Sequence, residues 1–253
     1  MSSLMDVRDL VSPMADVSTA IDQALRPEPP IPGFIPRRIE RTQPKTLPPE
    51  FLDACRRAYL SMPATGKKTG VTSASRREGR TSVAMGLATI LAADTGEPTL
   101  LVDCDLEQTS FRATAGCSDA PGLSEWAQGL AQLRVVRASW PDNLYIIPSG
   151  AAPSQPARII AQLREARVME QLERQFVSIV LDLPPVLDVA YGPVAAQMAD
   201  QVLIVVRRGD AHLEQVERAV GLLASARPAG MIINGHPGPR RSLRKGFRRT
   251  PTH

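Results

Sequence analysis

The sequence predicts an α/β domain with a mostly parallel sheet and helices on both faces. A Pro-rich N-terminal extension precedes the domain and a basic C-terminal tail follows it. Three observations predict this. Short apolar runs at 99–102, 177–181 and 201–206 alternate with helical runs, and strands of that kind are buried on both faces. Two of the runs end in carboxylates, Asp103 with Asp105 and then Asp182, at the sheet edge that carries ligands in open parallel sheets. Residues 70–92 set a strand, a glycine-bearing loop and a helix end to end, the layout of a phosphate-binding loop.

Residues 1–49 read as an extension. Ala15 to Leu25 can form a short amphipathic helix, either a docking element or a frayed end. From Arg26 to Pro49 prolines recur among charged residues, a composition that sustains neither a helix nor a central strand. The domain is expected at 50–235. Glu50 to Leu60 reads as an entering helix with Phe51, Leu52, Cys55 and Tyr59 on its apolar side. Gly70 to Ala74 is the first strand and Thr81 to Ala92 a buried helix. Gly96 serves as its C-cap and Pro98 as a stop.

Thr99 to Asp103 is the second strand. Gly122 to Ala127 reads as a helix capped by Ser124 or its neighbours. Asn143 to Ile147 is a strand, and Ala157 to Phe176 one helix. Val177 to Asp182 is a further strand, stopped by Pro184 and Pro185. Gln201 to Val206, a helix over 211–226 and a last strand from Gly230 complete the sheet.

The phosphate-loop pattern is Gly or Ala, four residues, then Gly-Lys-Ser/Thr. Here Ala74 is followed by Ser75, Arg76, Arg77 and Glu78, then Gly79, Arg80, Thr81 and Ser82. The register fits and the lysine is replaced by Arg80, whose guanidinium is planar, bulkier and always charged. At Arg77 such a tight loop favours glycine for a positive φ. Loop amides and the helix dipole converge on an anion, and the Thr81 hydroxyl can hold a magnesium ion. An ordinary first βα turn is the plainer alternative. Asp103 and Asp105, at i and i+2, can face one metal–phosphate centre, although Asp105 also suits a loop or helix cap. Asp182 has the form of a Walker B acid.

Composition sets bounds. The chain has 253 residues, 43% hydrophobic and 4% aromatic, so aliphatic side chains must fill the core. No run reaches membrane-span length, and no signal-peptide h-region is present. Cys55, Cys104 and Cys117 lack metal-ligand spacing and read as reduced thiols. His212, His236 and His253 fit no metal pattern, and no Ser/His/Asp arrangement is present. Six of the Lys and Arg residues lie between 236 and 253, and removing them from the net +4 leaves −2 for the rest. Such an arm suits anionic lipid, nucleic acid or an acidic partner, and equally a solvated end.

Together these motifs resemble the bacterial tyrosine kinases (BY-kinases), the cytoplasmic ATPase half of polysaccharide co-polymerases. That family lies within the P-loop ATPases of the chromosome-partitioning and division-site-positioning type. The resemblance runs from about Glu50 to Gly235. It is carried by Val71-Thr-Ser-Ala with Glu78-Gly79, by Leu101-Val-Asp103-Cys-Asp105-Leu and by Gly122-Leu-Ser. Pro148-Ser-Gly-Ala-Ala-Pro-Ser-Gln-Pro and Val180-Leu-Asp182-Leu-Pro-Pro-Val-Leu-Asp188 complete it.

The resemblance implies ATP or ADP with Mg2+. Residues 75–82 would cradle phosphates, and Asn234 would lie near the adenine. Thr81, Asp103 and Asp182 would hold the metal, with Asp103, Asp105 and Arg80 at the reacting centre. It also implies a membrane co-polymerase partner, a possible homo-oligomer and a place at the inner face of the cell membrane. The tail would touch anionic lipid, with nucleic acid not favoured. Three departures stand out. Arg80 replaces the lysine, the tail has no tyrosine cluster, and the family's Glu-x-x-Arg-x-x-Arg helix falls on Glu50, Asp53 and Arg56. They imply weakened or lost autokinase activity. A partitioning-type positioning ATPase is the runner-up, opposed by Ser75 where such proteins carry an extra lysine. A non-nucleotide-binding adaptor is the third reading.

Overall fold

A computed structural model describes residues 40–63, 66–108, 111–118, 120–209 and 212–235. The expected helix at Ala15 to Leu25, most of the proline-rich stretch and the basic tail lie outside the described residues, as do His236 and His253.

The elements run in this order: β1 (Arg41–Thr42), α1 (Pro49–Leu60), β2 (Lys68–Ser73), α2 (Arg80–Thr95), β3 (Thr99–Asp103), α3 (Phe111–Ala115), α4 (Leu123–Ala127), β4 (Val136–Ala138) and β5 (Leu144–Ile147). Then come α5 (Pro156–Glu165), α6 (Val168–Leu172), β6 (Ser178–Asp182), α7 (Gly192–Ala196), β7 (Gln201–Arg207), α8 (Leu213–Leu222), a 3-10 turn at Ala224–Ala226 and β8 (Pro228–Asn234). One eight-stranded sheet has the order β1-β4-β5-β3-β6-β2-β7-β8. Every pairing is parallel except β4 with β5.

Alternate residues of the central strands feed two cores, as a period of two requires. Val71, Leu101, Val180, Leu203 and Val205 pack with α2 and with Cys55 of α1. Leu100, Val102, Ile179, Leu181, Val202 and Ile204 pack with α4 to α8 on the other face. Helix α2 is buried from Val83 to Ala92, sandwiched between sheet and α1. Its small residues allow that approach: a Cβ on Gly86 would stand 2.8 Å from Cys55 Sγ and 2.9 Å from Phe51.

Several elements differ from the sequence reading. The run from Ala157 to Phe176 is two helices, because Arg167 takes a left-handed φ of 52°. Ile159, Ile160 and Leu163 are buried in the first, and Val168, Met169 and Leu172 in the second. One continuous helix could not keep both sets on one side. Of Ser124 and its neighbours, Gly122 is the N-cap of α4, and its N–H donates to Glu125 Oε2 at 2.9 Å. Helix α8 is shorter than expected, Leu213–Leu222. The last strand begins at Pro228 rather than Gly230, a strand-start position where a missing N–H is tolerated. Strands β1 and β4 were not foreseen. β1 lies inside the stretch read as extension, where Thr42 Oγ1 donates to Ala115 O at 2.5 Å.

A candidate phosphate loop closed over three buried acids

Strand order brings the candidate residues together. β3, β6 and β2 are consecutive neighbours, and Asp103 is registered directly against Asp182, which pairs on its other side with Val71. Their C-terminal ends therefore open at one place, beneath the loop 74–79 and the start of α2.

The loop holds a strained, well-tethered shape. Arg77 has a φ of 66° and Gly79 a φ of 93°. Only glycine is accommodated at 79, since a Cβ there would collide with Asn234 Nδ2. That same amide donates to Glu78 O at 2.9 Å, so Asn234 secures the loop from β8. The buried Glu78 carboxylate accepts the Ser75 N–H at 3.0 Å. Asp188 accepts the Arg76 N–H at 2.7 Å, and the Arg76 guanidinium reaches across to Glu107 at 2.9 Å. Ser73 Oγ donates to Ser75 O at 2.6 Å. The N-terminus of α2, with Thr81 and Ser82 half-buried in its first turn, receives no side-chain cap. These amides are the ones a phosphate would use.

Below the loop, Asp103, Asp105 and Asp182 are fully buried and Arg80 is 5% exposed. Arg80 Nη2 donates to Asp105 Oδ2, and its Nε stands 3.9 Å from Asp182 Oδ1. Asp105 also accepts the Glu107 and Gln108 N–H groups at 3.2 Å, and its own N–H donates to Asp103 Oδ1 at 3.1 Å. It thus caps its loop and faces the centre at once. Neither oxygen of Asp182 meets a donor at full hydrogen-bond geometry, although the Thr81 hydroxyl flanks it. Burial pushes the Asp182 carboxyl up to about 6, against the opposing pull of Arg80 and Thr81. Burial and then the charge of Asp182 push Asp103 well above the ordinary carboxylate range, with Ser149 opposing.

The phosphate part of a nucleotide fits this junction, because an uncapped sixteen-residue helix opens at a glycine-hinged loop. A magnesium ion does not fit the arrangement as it stands. The cation the acids face is Arg80, and among the described residues no group of three or more His, Cys, Asp or Glu is disposed to hold a metal. Asp103 and Asp182 sit side by side with the Thr81 hydroxyl at Asp182, and the Arg80 guanidinium lies between Asp105 and Asp182.

Sequence reasoning assigned no role to Tyr191, Ser149, Glu107 or Asp188. Tyr191 Oη accepts the Leu106 N–H at 3.0 Å, pinning the turn that carries Asp105. Ser149 and Asp188 lay within runs that carried the resemblance, but only the fold brings Ser149 to Asp103 and Asp188 to the loop.

No family model matches the chain. It is 27% identical over 202 residues to the tyrosine-protein kinase YwqD of Bacillus subtilis, covering 78% of this chain and 85% of that protein. It is 27% identical over 158 residues to the tyrosine-protein kinase ptk of Acinetobacter johnsonii, covering 62% of this chain and 21% of that protein. Its relatives are bacterial tyrosine kinases. The VpsO kinase domain superposes with a TM-score of 0.65 at 27% identity, over 74% of this chain and 97% of that one. The fold is shared more widely. The septum site-determining protein MinD of Pyrococcus horikoshii, solved with Mg-ADP, matches at a TM-score of 0.55 and 22% identity over 66% of this chain and 68% of that one. Tyr145 and Tyr191 are buried and Tyr59 is half-buried; they are the chain's three tyrosines.

Proposed function

We propose that this chain is a nucleotide-binding domain of the bacterial tyrosine-kinase type. It serves exopolysaccharide, capsule or adhesive-polysaccharide synthesis at the cytoplasmic end of a membrane co-polymerase. The observation that carries the reading is the junction itself, a glycine-hinged loop and uncapped helix end above three acids contributed by neighbouring strands. In that role residues 75–82 hold the phosphates of ATP or ADP, and Asn234 braces the loop.

Phosphoryl transfer is weakened or lost in this chain. A lysine would reach the outer phosphates as a mobile point charge, whereas Arg80 is committed to Asp105. The tyrosine cluster that would receive the phosphoryl group is absent from the tail. The motif helix is engaged within the chain, since Arg56 pairs with Asp53 at 2.6 Å and with Asp94 of α2 at 2.6 Å. The same commitment of Arg80 favours a second reading, an adaptor that keeps the fold and binds no nucleotide.

Calorimetric titration with ATP, with and without Mg2+, separates the two. Wild type is expected to bind ATP, and Arg80→Lys to bind it and gain turnover. Failure of wild type to bind, at concentrations where Arg80→Lys does, would leave only the adaptor.

A further inference from the structure

Three carboxylates buried at one point are costly unless a cation compensates them. Among the described residues, Arg80 is the cation that pairs with this cluster. Its position at the first residue of α2 brings it beneath the loop, and 5% exposure shows that its head does not reach solvent. A guanidinium suits this place, because its planar set of N–H donors can address two carboxylates at once and its charge is permanent. Magnesium makes the opposite demand, a near-octahedral shell of oxygens about 2.0–2.1 Å away. With Arg80 against Asp105 and 3.9 Å from Asp182, no such shell is open.

We infer that Arg80 is a built-in counter-ion that takes the place of the divalent cation among Asp103, Asp105 and Asp182. The charge of the site is then partly offset from within, and phosphate recognition falls to the loop amides without a metal bridge. Arg80 positions the acids; it also decides which cation the site accepts. The inference stands on the cluster alone and needs no nucleotide, so its failure and that of the nucleotide reading are separate.

The test uses the full chain without nucleotide, titrated with Mn2+ under electron paramagnetic resonance and melted in EDTA or Mg2+. Wild type is expected to show no Mn2+ site tighter than about 1 mM and the same Tm in both buffers. Arg80→Ser is expected to melt roughly 5 °C or more lower in EDTA, as removing one partner of a buried ion pair does. Mn2+ or Mg2+ should restore its Tm, with Mn2+ uptake abolished again by adding Asp105→Asn. Mn2+ uptake by wild type that disappears in Asp182→Asn overturns the inference. So does an Arg80→Ser variant that neither loses Tm in EDTA nor gains Mn2+. If Arg80→Ser is insoluble without metal, the double variant with Asp105→Asn should be soluble, since a charge leaves with its partner; an insoluble double variant counts against the inference.

Discussion

At the scale of single residues, the departures from the phosphate-loop pattern have separate physical consequences. Arg77 holds a left-handed φ of 66° with a side chain in place, a conformation that costs an L-residue about 1–2 kcal/mol. Arg77→Gly relieves that strain and gives some of it back as entropy of the unfolded chain. A net stabilisation of up to about 1 kcal/mol is expected in urea titrations; a destabilised variant would show that the Arg77 side chain contributes more than its strain costs. Loop register, the need for a positive φ at 77 and the acid after each strand were legible, because each depends on neighbours in the chain. The direction of the Arg80 side chain was not. A residue at the start of a helix can point to phosphates or to acids, and the acids that draw it in lie 25 or more positions away.

Elements show how much of the fold depends on close contact. Helices α1 and α2 meet at Gly86, where a Cβ would stand 2.8 Å from Cys55 Sγ. Ala is the better helix former by about 1 kcal/mol, yet overpacking costs about 1–3 kcal/mol. Gly86→Ala is therefore expected to destabilise by roughly 1–2 kcal/mol in urea, and Cys55→Ala in the same chain to recover part of that. At the opposite end of β2, Lys68 is held between Glu173 and Asp200. Burial raises the Asp200 carboxyl, but the Lys68 backbone N–H and ammonium, with the Lys67 N–H, outweigh it and hold the group below its ordinary value. Such a group stabilises the fold above the unfolded pKa of about 3.9, and that contribution is lost as pH falls through the folded value. Asp200→Asn should thus lower stability at pH 7 by about 1–3 kcal/mol and flatten the fall below pH 4. An unchanged acid limb in pH-dependent melting would refute the assignment. The long strands and α2 were readable from their apolar runs. The break at Arg167 was missed, because apolar residues on both sides of it recur at helical spacing and nothing local marks the left-handed φ that separates α5 from α6. β1 and β4 were not, since strands of two and three residues carry no periodicity.

For the whole molecule, charge is divided between a body of net −2 and a tail with six cations. No helix among the described residues is long and apolar enough to cross a membrane; in the proposed role the six cations of the tail would face anionic lipid. Each basic residue near an anionic surface adds about 1 kcal/mol, and salt screens it. Deleting 240–249 is expected to abolish co-sedimentation with vesicles rich in anionic lipid at low salt while leaving Tm unchanged. Retention as strong as that of the full chain would remove the tail from that role. The sequence by itself determined the class of fold, the loop, and the acids that end the strands, because strand, turn and helix signals act over a few residues. Tertiary structure alone decided that β3 lies beside β6, that Asp103 faces Asp182, and that Arg80 turns inward to join them. Strand adjacency is a long-range choice made by packing two cores at once, and the burial of three carboxylates at one point creates a demand for positive charge that no local pattern records.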